Sequence, residues 1–115
     1  MTNSRDKGKR GELEARDAVR TFLPYIDAIR SAQRDGRFGA DLANTGGLHV
    51  EVKRPAKIAV MKYMRQSEDD EKTVGEDKLP IVLMRPDGDK EWVVMLRLKD
   101  AKAFATEILF PEETV

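Results

Sequence analysis

Apolar residues recur along the chain at two spacings. From about Lys9 to Leu23 the residues Ala15, Ala18, Val19, Phe22 and Leu23 form a stripe at helical spacing, closed by Pro24. This predicts a first helix. Residues Tyr25 to Ala32 fit a short strand, followed by the polar turn "QRDGRFG" and a second strand from about Asp41 to Ala43. After the turn "NTGG" the stretch "LHVEVK" alternates strictly, with Leu48, Val50 and Val52 on one face and His49, Glu51 and Lys53 on the other. Pro55 ends this strand, because it brings no N–H to a ladder and restricts Arg54 before it.

Helical spacing returns from about Ala56 to Lys72, with Ile58, Met61, Tyr63 and Met64 inward and "SEDDEK" as a solvated end. Then "LPIVLMR" and "EWVVMLRL" predict two strands joined as a hairpin across "PDGD". Asp100 is placed to cap a last helix, "DAKAFATEIL". The predicted order is αβββαββα, an α/β or α+β domain with a mixed sheet flanked by helices. With 115 residues and no repeat or linker, residues 1–115 are expected to form one domain around one modest core.

Composition narrows the function classes. An apolar content of 40% argues against disorder, and no apolar run approaches the roughly 20 residues that a membrane helix needs, so no membrane partner is expected. The chain has no cysteine, which excludes disulfides and thiolate metal sites. Its first residues, "MTNSRDKGKRGE", lack the apolar segment of a secretory signal, and a cytoplasmic location is the expectation. The net charge is zero, yet residues 1–65 hold 14 Lys and Arg against 8 Asp and Glu, while residues 66–115 hold 7 against 13. That split permits one basic face on a neutral protein.

The hairpin around "NTGG" carries the candidate chemistry. If Thr45, Gly46 and Gly47 form a three-residue loop, residues pairing across it have numbers summing to 92, which sets Asp41 opposite Glu51. Directly opposed residues share a face, with Cβ atoms roughly 4.5–5.5 Å apart, and Lys53 lies two positions along on that face. Two carboxylates so close repel unless something positive lies between them. Lys53 alone can supply it, which would make this an ion-pair cluster on a half-exposed sheet. A hard divalent cation can also supply it: Mg²⁺ (or Mn²⁺) takes one or two carboxylates plus waters and phosphate oxygens, and the Val52 carbonyl is a further candidate ligand. Glu12 falls within the apolar stripe of the first helix and Glu14 points away from it. Glu12 is then either a solvated acid favoured by the helix dipole or a third member of the site.

Taken together, "KGKRGELE", "GADLA" and "HVEVKR" resemble the motif set of the PD-(D/E)XK nuclease superfamily, and most closely the archaeal-type Holliday junction resolvases and their phage-encoded relatives. The resemblance spans residues 7 to 54: Lys7, Gly8 and Glu12 match the opening K-G and helical glutamate, Asp41 the aspartate of the second strand, and Glu51, Val52 and Lys53 the E-V-K signature. Ala40 stands where the family often has proline, and "QRDG" where the resolvases carry a serine and glycine.

The resemblance implies a restriction-endonuclease-like fold and Mg²⁺-dependent phosphodiester hydrolysis leaving a 5′-phosphate and a 3′-hydroxyl. In it Asp41, Glu51, Val52 and Glu12 would serve the metal, and Lys53 would orient the attacking water. It also implies a branched DNA partner, a two-fold homodimer with Leu13 as a candidate contact, and a host cytoplasm if the chain is phage-encoded. Lys7, Lys9, Arg10, Arg30, Arg34, Arg37, Arg54 and Lys57 surround the motifs and are candidate phosphate contacts. Gln66 is a candidate from the second helix. His49, on the same face as Glu51, reads as a polar residue with a hydrogen-bond partner, not as a ligand. Two other readings stay open: a nuclease for flapped, nicked or single-stranded DNA, and a nucleic-acid-binding module with this fold and no cleavage.

Overall fold

A computed structural model describes residues 4–31 and 39–111. Helix α1 (Ser4–Phe22) leads into β1 (Ile29–Arg30), β2 (Leu42–Ala43) and β3 (Leu48–Lys53). Helix α2 (Val60–Val74) follows, then β4 (Leu79–Met84), β5 (Val93–Met95), a 3₁₀ turn (Leu98–Asp100) and α3 (Ala101–Leu109). The domain is α+β, with a five-stranded mixed sheet in the order β1-β2-β3-β4-β5 and three helices against it. Only β3 and β4 run parallel, and α2 makes the crossover between them. Among the described residues no helix is long and apolar enough to cross a membrane.

Alternation along β3 and β4 builds two cores. Leu48, Val50, Ile81 and Leu83 pack with Ala15 and Val19 of α1, and Phe104 and Ile108 of α3 lie against them. On the opposite face Val82 and Met84 pack with Met64, joined by Tyr63 and Met95. His49, Glu51 and Lys53 project to that second face, because successive strand residues point to opposite sides. The face is not half-open: α2 covers it, and even His49 and Glu51 are buried, at 3% and 4% exposure.

Several boundaries differ from the sequence reading. The first strand is two residues long, not eight: the turn after α1, with the Ile26 N–H donating to the Leu23 carbonyl at 2.9 Å, leaves Tyr25 exposed and points Ile26 into the core. Gly8 lies inside α1, which starts well before Lys9. Helix α2 begins at Val60, so Ile58 precedes it and is exposed, as is Met61, while Ser67 and Asp70 of its polar end are buried against the sheet. Ser67 Oγ donates to the Ile81 carbonyl at 3.1 Å, which explains how a polar residue occupies that position. Asp100 stands at the head of α3 without a side-chain capping bond, its carboxylate held instead by Lys99 Nζ at 2.9 Å. Ala32 and the turn residues 33–38 lie outside the described residues.

Candidate active site

The hairpin places the acids. Leu42 pairs with Val50, the register in which residue numbers sum to 92, but the next residue, Asp41, donates its N–H to the Val50 carbonyl at 2.9 Å, and no ladder pair between Asp41 and Glu51 forms among the described residues. Asn44 and Gly46 both take φ of 59°, the left-handed conformation that a tight loop requires. Thr45 Oγ1 donates to the Leu48 carbonyl at 2.8 Å and closes the loop from inside. Glu107 of α3 then accepts the Gly47 N–H at 3.1 Å; a Cβ on Gly47 would lie 2.7 Å from its Oε1, so only glycine permits this approach.

Strand β2 starts at Leu42, and Asp41 just before it keeps backbone bonds on both sides, its N–H donating to the Val50 carbonyl at 2.9 Å and its carbonyl accepting the Ser31 N–H at 3.0 Å. Its side chain adds a third bond, with Val52 N–H donating to Asp41 Oδ2 at 2.9 Å. The carboxylate occupies the place of a backbone acceptor, in the plane of the sheet where β2 leaves β3. An extended residue turns its N–H and C=O to the same side, so the Val52 carbonyl opens toward Asp41.

Glu51 and Glu12 approach this carboxylate from opposite faces of the sheet. Burial, the charge of Asp41 and a hydrogen bond between the two carboxyls push the Glu51 pKa up to about 9, against an opposing pull from Lys53. Glu12 reaches Asp41 from α1: burial first, then the Asp41 charge, raise its pKa, and Arg30 Nε, donating to Glu12 Oε1 at 2.8 Å, works the other way. Glu12 is thus not a solvated helix-start acid: its side chain is only 14% exposed and lies against Asp41. The ammonium of Lys53 lies 5.5 Å from the centroid of the Tyr63 ring.

Among the described residues no three His, Cys, Asp or Glu side chains form a group able to hold a metal ion. The acids meet instead as two pairs that share Asp41. A cage with Glu12, Asp41 and Glu51 all coordinating is therefore not present, whereas the Asp41–Glu51 pair is the number of carboxylates that Mg²⁺ commonly takes. One observation bears on the fit: Glu51 Oε2 is buried with no hydrogen-bond partner. A buried carboxylate oxygen left alone is costly, and either a proton or a cation relieves it. The residues fit a hard divalent ion.

Comparison of this chain with protein-family models, with curated proteins and with solved structures found no match.

The basic residues divide. Lys9, Arg10 and Lys57 are exposed. Lys7 is paired with Asp87 at 2.7 Å, and Arg30 with Glu12. Arg54 donates to Glu14 at 3.3 Å, to Asp87 at 3.4 Å and to the Arg85 carbonyl at 3.1 Å. Arg34 and Arg37 lie outside the described residues. Arg30 is thus a partner of a site carboxylate, a role that sequence reasoning missed although a buried Glu12 calls for a nearby cation. Gln66 is half-buried on α2 and Leu13 half-buried on α1. The His49 Nε2 is buried without a partner, and burial lowers its pKa, which favours the neutral imidazole.

Proposed function

We propose that the protein is a Mg²⁺-dependent, structure-directed DNA endonuclease, acting as a dimer on branched DNA of the Holliday-junction type. The observation that carries the reading is the Asp41–Glu51 pair at the point where β2 leaves β3, with one buried Glu51 oxygen unpartnered. Asp41 and Glu51 are the residues that would hold the ion, with the Val52 carbonyl as a further ligand and Glu12 acting through a water. When bound, such an ion lowers the pKa of coordinated water and neutralises charge growing on phosphate oxygens.

The chain's own groups supply the rest. Asp41 is fixed by the Val52 N–H, and Glu12 is held by Arg30, so neither needs to reorganise when substrate arrives. Lys53 projects from the same face as Glu51, and its ammonium can orient a water and stabilise negative charge on the phosphate.

The test is incubation with Mg²⁺ and labelled four-way junctions, flaps, nicked duplex and single strands. Preferred cutting of the four-way junction, lost in Glu51→Gln, supports the reading. Preferred cutting of flaps or single strands keeps the hydrolase and changes its substrate. No cutting of any strand, with wild type and Glu51→Gln binding DNA equally, replaces the enzyme with a binding module.

A further inference from the structure

Beside the carboxylates, at the carboxyl ends of the parallel strands β3 and β4, a second set of charges links three elements. Lys7 comes from α1, Arg54 from the end of β3, and Asp87 from the turn between β4 and β5. Gly11 lets them meet: a Cβ there would lie 2.7 Å from Arg54 Cγ, so the arginine crosses α1 only because this residue, next to Glu12, has no side chain. The Asp87 carboxylate bridges two cations at once, Lys7 through Oδ2 at 2.7 Å and Arg54 through Oδ1 at 3.4 Å. Glu14 is differently placed, bound to both Arg54 and Arg85, with Arg85 stacked 5.7 Å from the Trp92 ring centroid.

The two acids therefore do different things. Glu14 neutralises Arg54 and Arg85 from within, and both arginines are largely covered, with side chains 15% and 17% exposed. Asp87 is 40% exposed on a turn whose Gly88 has φ of 91°. It is an outward carboxylate whose two oxygens sit on cations from two other elements, as two oxygens of a phosphate would. The Lys7–Asp87 pair, 33% and 40% exposed, contributes little net free energy, and the Arg54–Asp87 contact is long at 3.4 Å, so a competing anion meets little resistance. The backbone N–H of Asp87 donates to the Pro55 carbonyl at 2.9 Å, so the turn stays anchored when the side chain leaves.

We infer that Lys7 and Arg54 form a seat for a nucleic-acid backbone phosphate and that Asp87 is its internal occupant, displaced when DNA binds. The inference rests on the proposed nuclease reading and adds to it a residue, Asp87, whose carboxylate occupies the seat until DNA binds. Asp87 is a positioning residue here, acting through Lys7 and Arg54.

The test is binding of a labelled DNA duplex in chelator, across a salt series, to wild type, Asp87→Asn, Lys7→Gln and the double variant. Asp87→Asn is expected to bind about 3- to 10-fold tighter near 0.1 M salt, because no carboxylate has to leave the seat, with the log K against log salt slope of wild type, because the same phosphates are neutralised in both. In the Lys7→Gln background the same change should give less than half of that gain in log K. Asp87→Ser repeats the measurement should the asparagine disturb the turn. Unchanged affinity in both Asp87 variants, or the full gain retained without Lys7, overturns the seat. Cleavage of DNA by wild type alongside that result leaves the nuclease reading standing; absence of both binding and cleavage removes the two together.

Discussion

Glu51 makes the stability of the metal-free protein fall with pH in a range where most proteins are flat. Its carboxyl has an ordinary pKa of 4.5 when unfolded and about 9 in the fold, so between these values the folded chain keeps a proton that the unfolded chain has lost. Unfolding then releases a proton, and the stability present at low pH is lost as pH rises toward 9, at about 1.4 kcal/mol per pH unit. Glu12, also raised, acts in the same direction. His49, whose pKa is lowered, has the opposite sign, but its window lies below 6.5, where the unfolded imidazole gains a proton. The interval from about pH 7 to 8.5 therefore isolates the carboxylates, and the expected loss is about 2 kcal/mol, a substantial part of the 5–15 kcal/mol typical of a domain. Urea denaturation in chelator across that interval measures it. Glu51→Gln should show a shallower slope there and be more stable than wild type at pH 8, with a difference of up to about 5 kcal/mol from the displaced ionisation. Millimolar Mg²⁺ should flatten the wild-type slope, because a cation then takes the place of the proton. Equal slopes in wild type and Glu51→Gln would refute the reasoning.

Other consequences can be checked separately. On the proposed hydrolase reading, in which the acids and the amine serve charge that develops in the transition state, Asp41→Asn and Lys53→Met should each lower the single-turnover cleavage rate at least about 100-fold while leaving DNA affinity in chelator within a factor of about 3. Arg30→Met leaves Glu12 buried beside Asp41 without its cation; the expected cost is about 1–3 kcal/mol in urea denaturation, and substitution of Glu12 by Gln in the same chain should recover part of it. Gly11→Ala gains helix propensity of about 1 kcal/mol but drives a methyl into Arg54, so net destabilisation, read as a lower melting temperature, is expected. Glu107→Ala removes the acceptor of the Gly47 N–H, with an expected loss of about 1 kcal/mol.

Much of the hairpin was legible in the sequence because a glycine turn fixes register. With Thr45 to Gly47 as the loop, counting gives the register of the Leu42–Val50 pair. Counting does not show that the Asp41 N–H bonds the Val50 carbonyl while its side chain accepts the Val52 N–H. Nor could alternation along β3 tell a half-exposed face from one covered by another element. The polar residues His49, Glu51 and Lys53 suggest solvent, but α2 lies over them, and the raised pKa of Glu51 is a product of that tertiary covering. Helix α2 shows the converse: Ile58 and Met61 fit an inward stripe, yet the chain needs residues beyond Pro55 to turn from the sheet and the helix starts only at Val60. The pairings of Arg30 with Glu12, and of Lys7 with Asp87 across 80 positions, depend on where separate elements meet.

Strand β3 lies in the middle of the sheet, bonded on both sides, and most of its amide hydrogens belong to the ladder. Their exchange with solvent deuterium requires the sheet to come apart, so they should report global unfolding. The Val52 amide differs, since its acceptor is the Asp41 side chain. Its exchange rate is a gauge of that one carboxylate: if the aspartate swings away while the sheet stays whole, this hydrogen alone becomes labile among its neighbours.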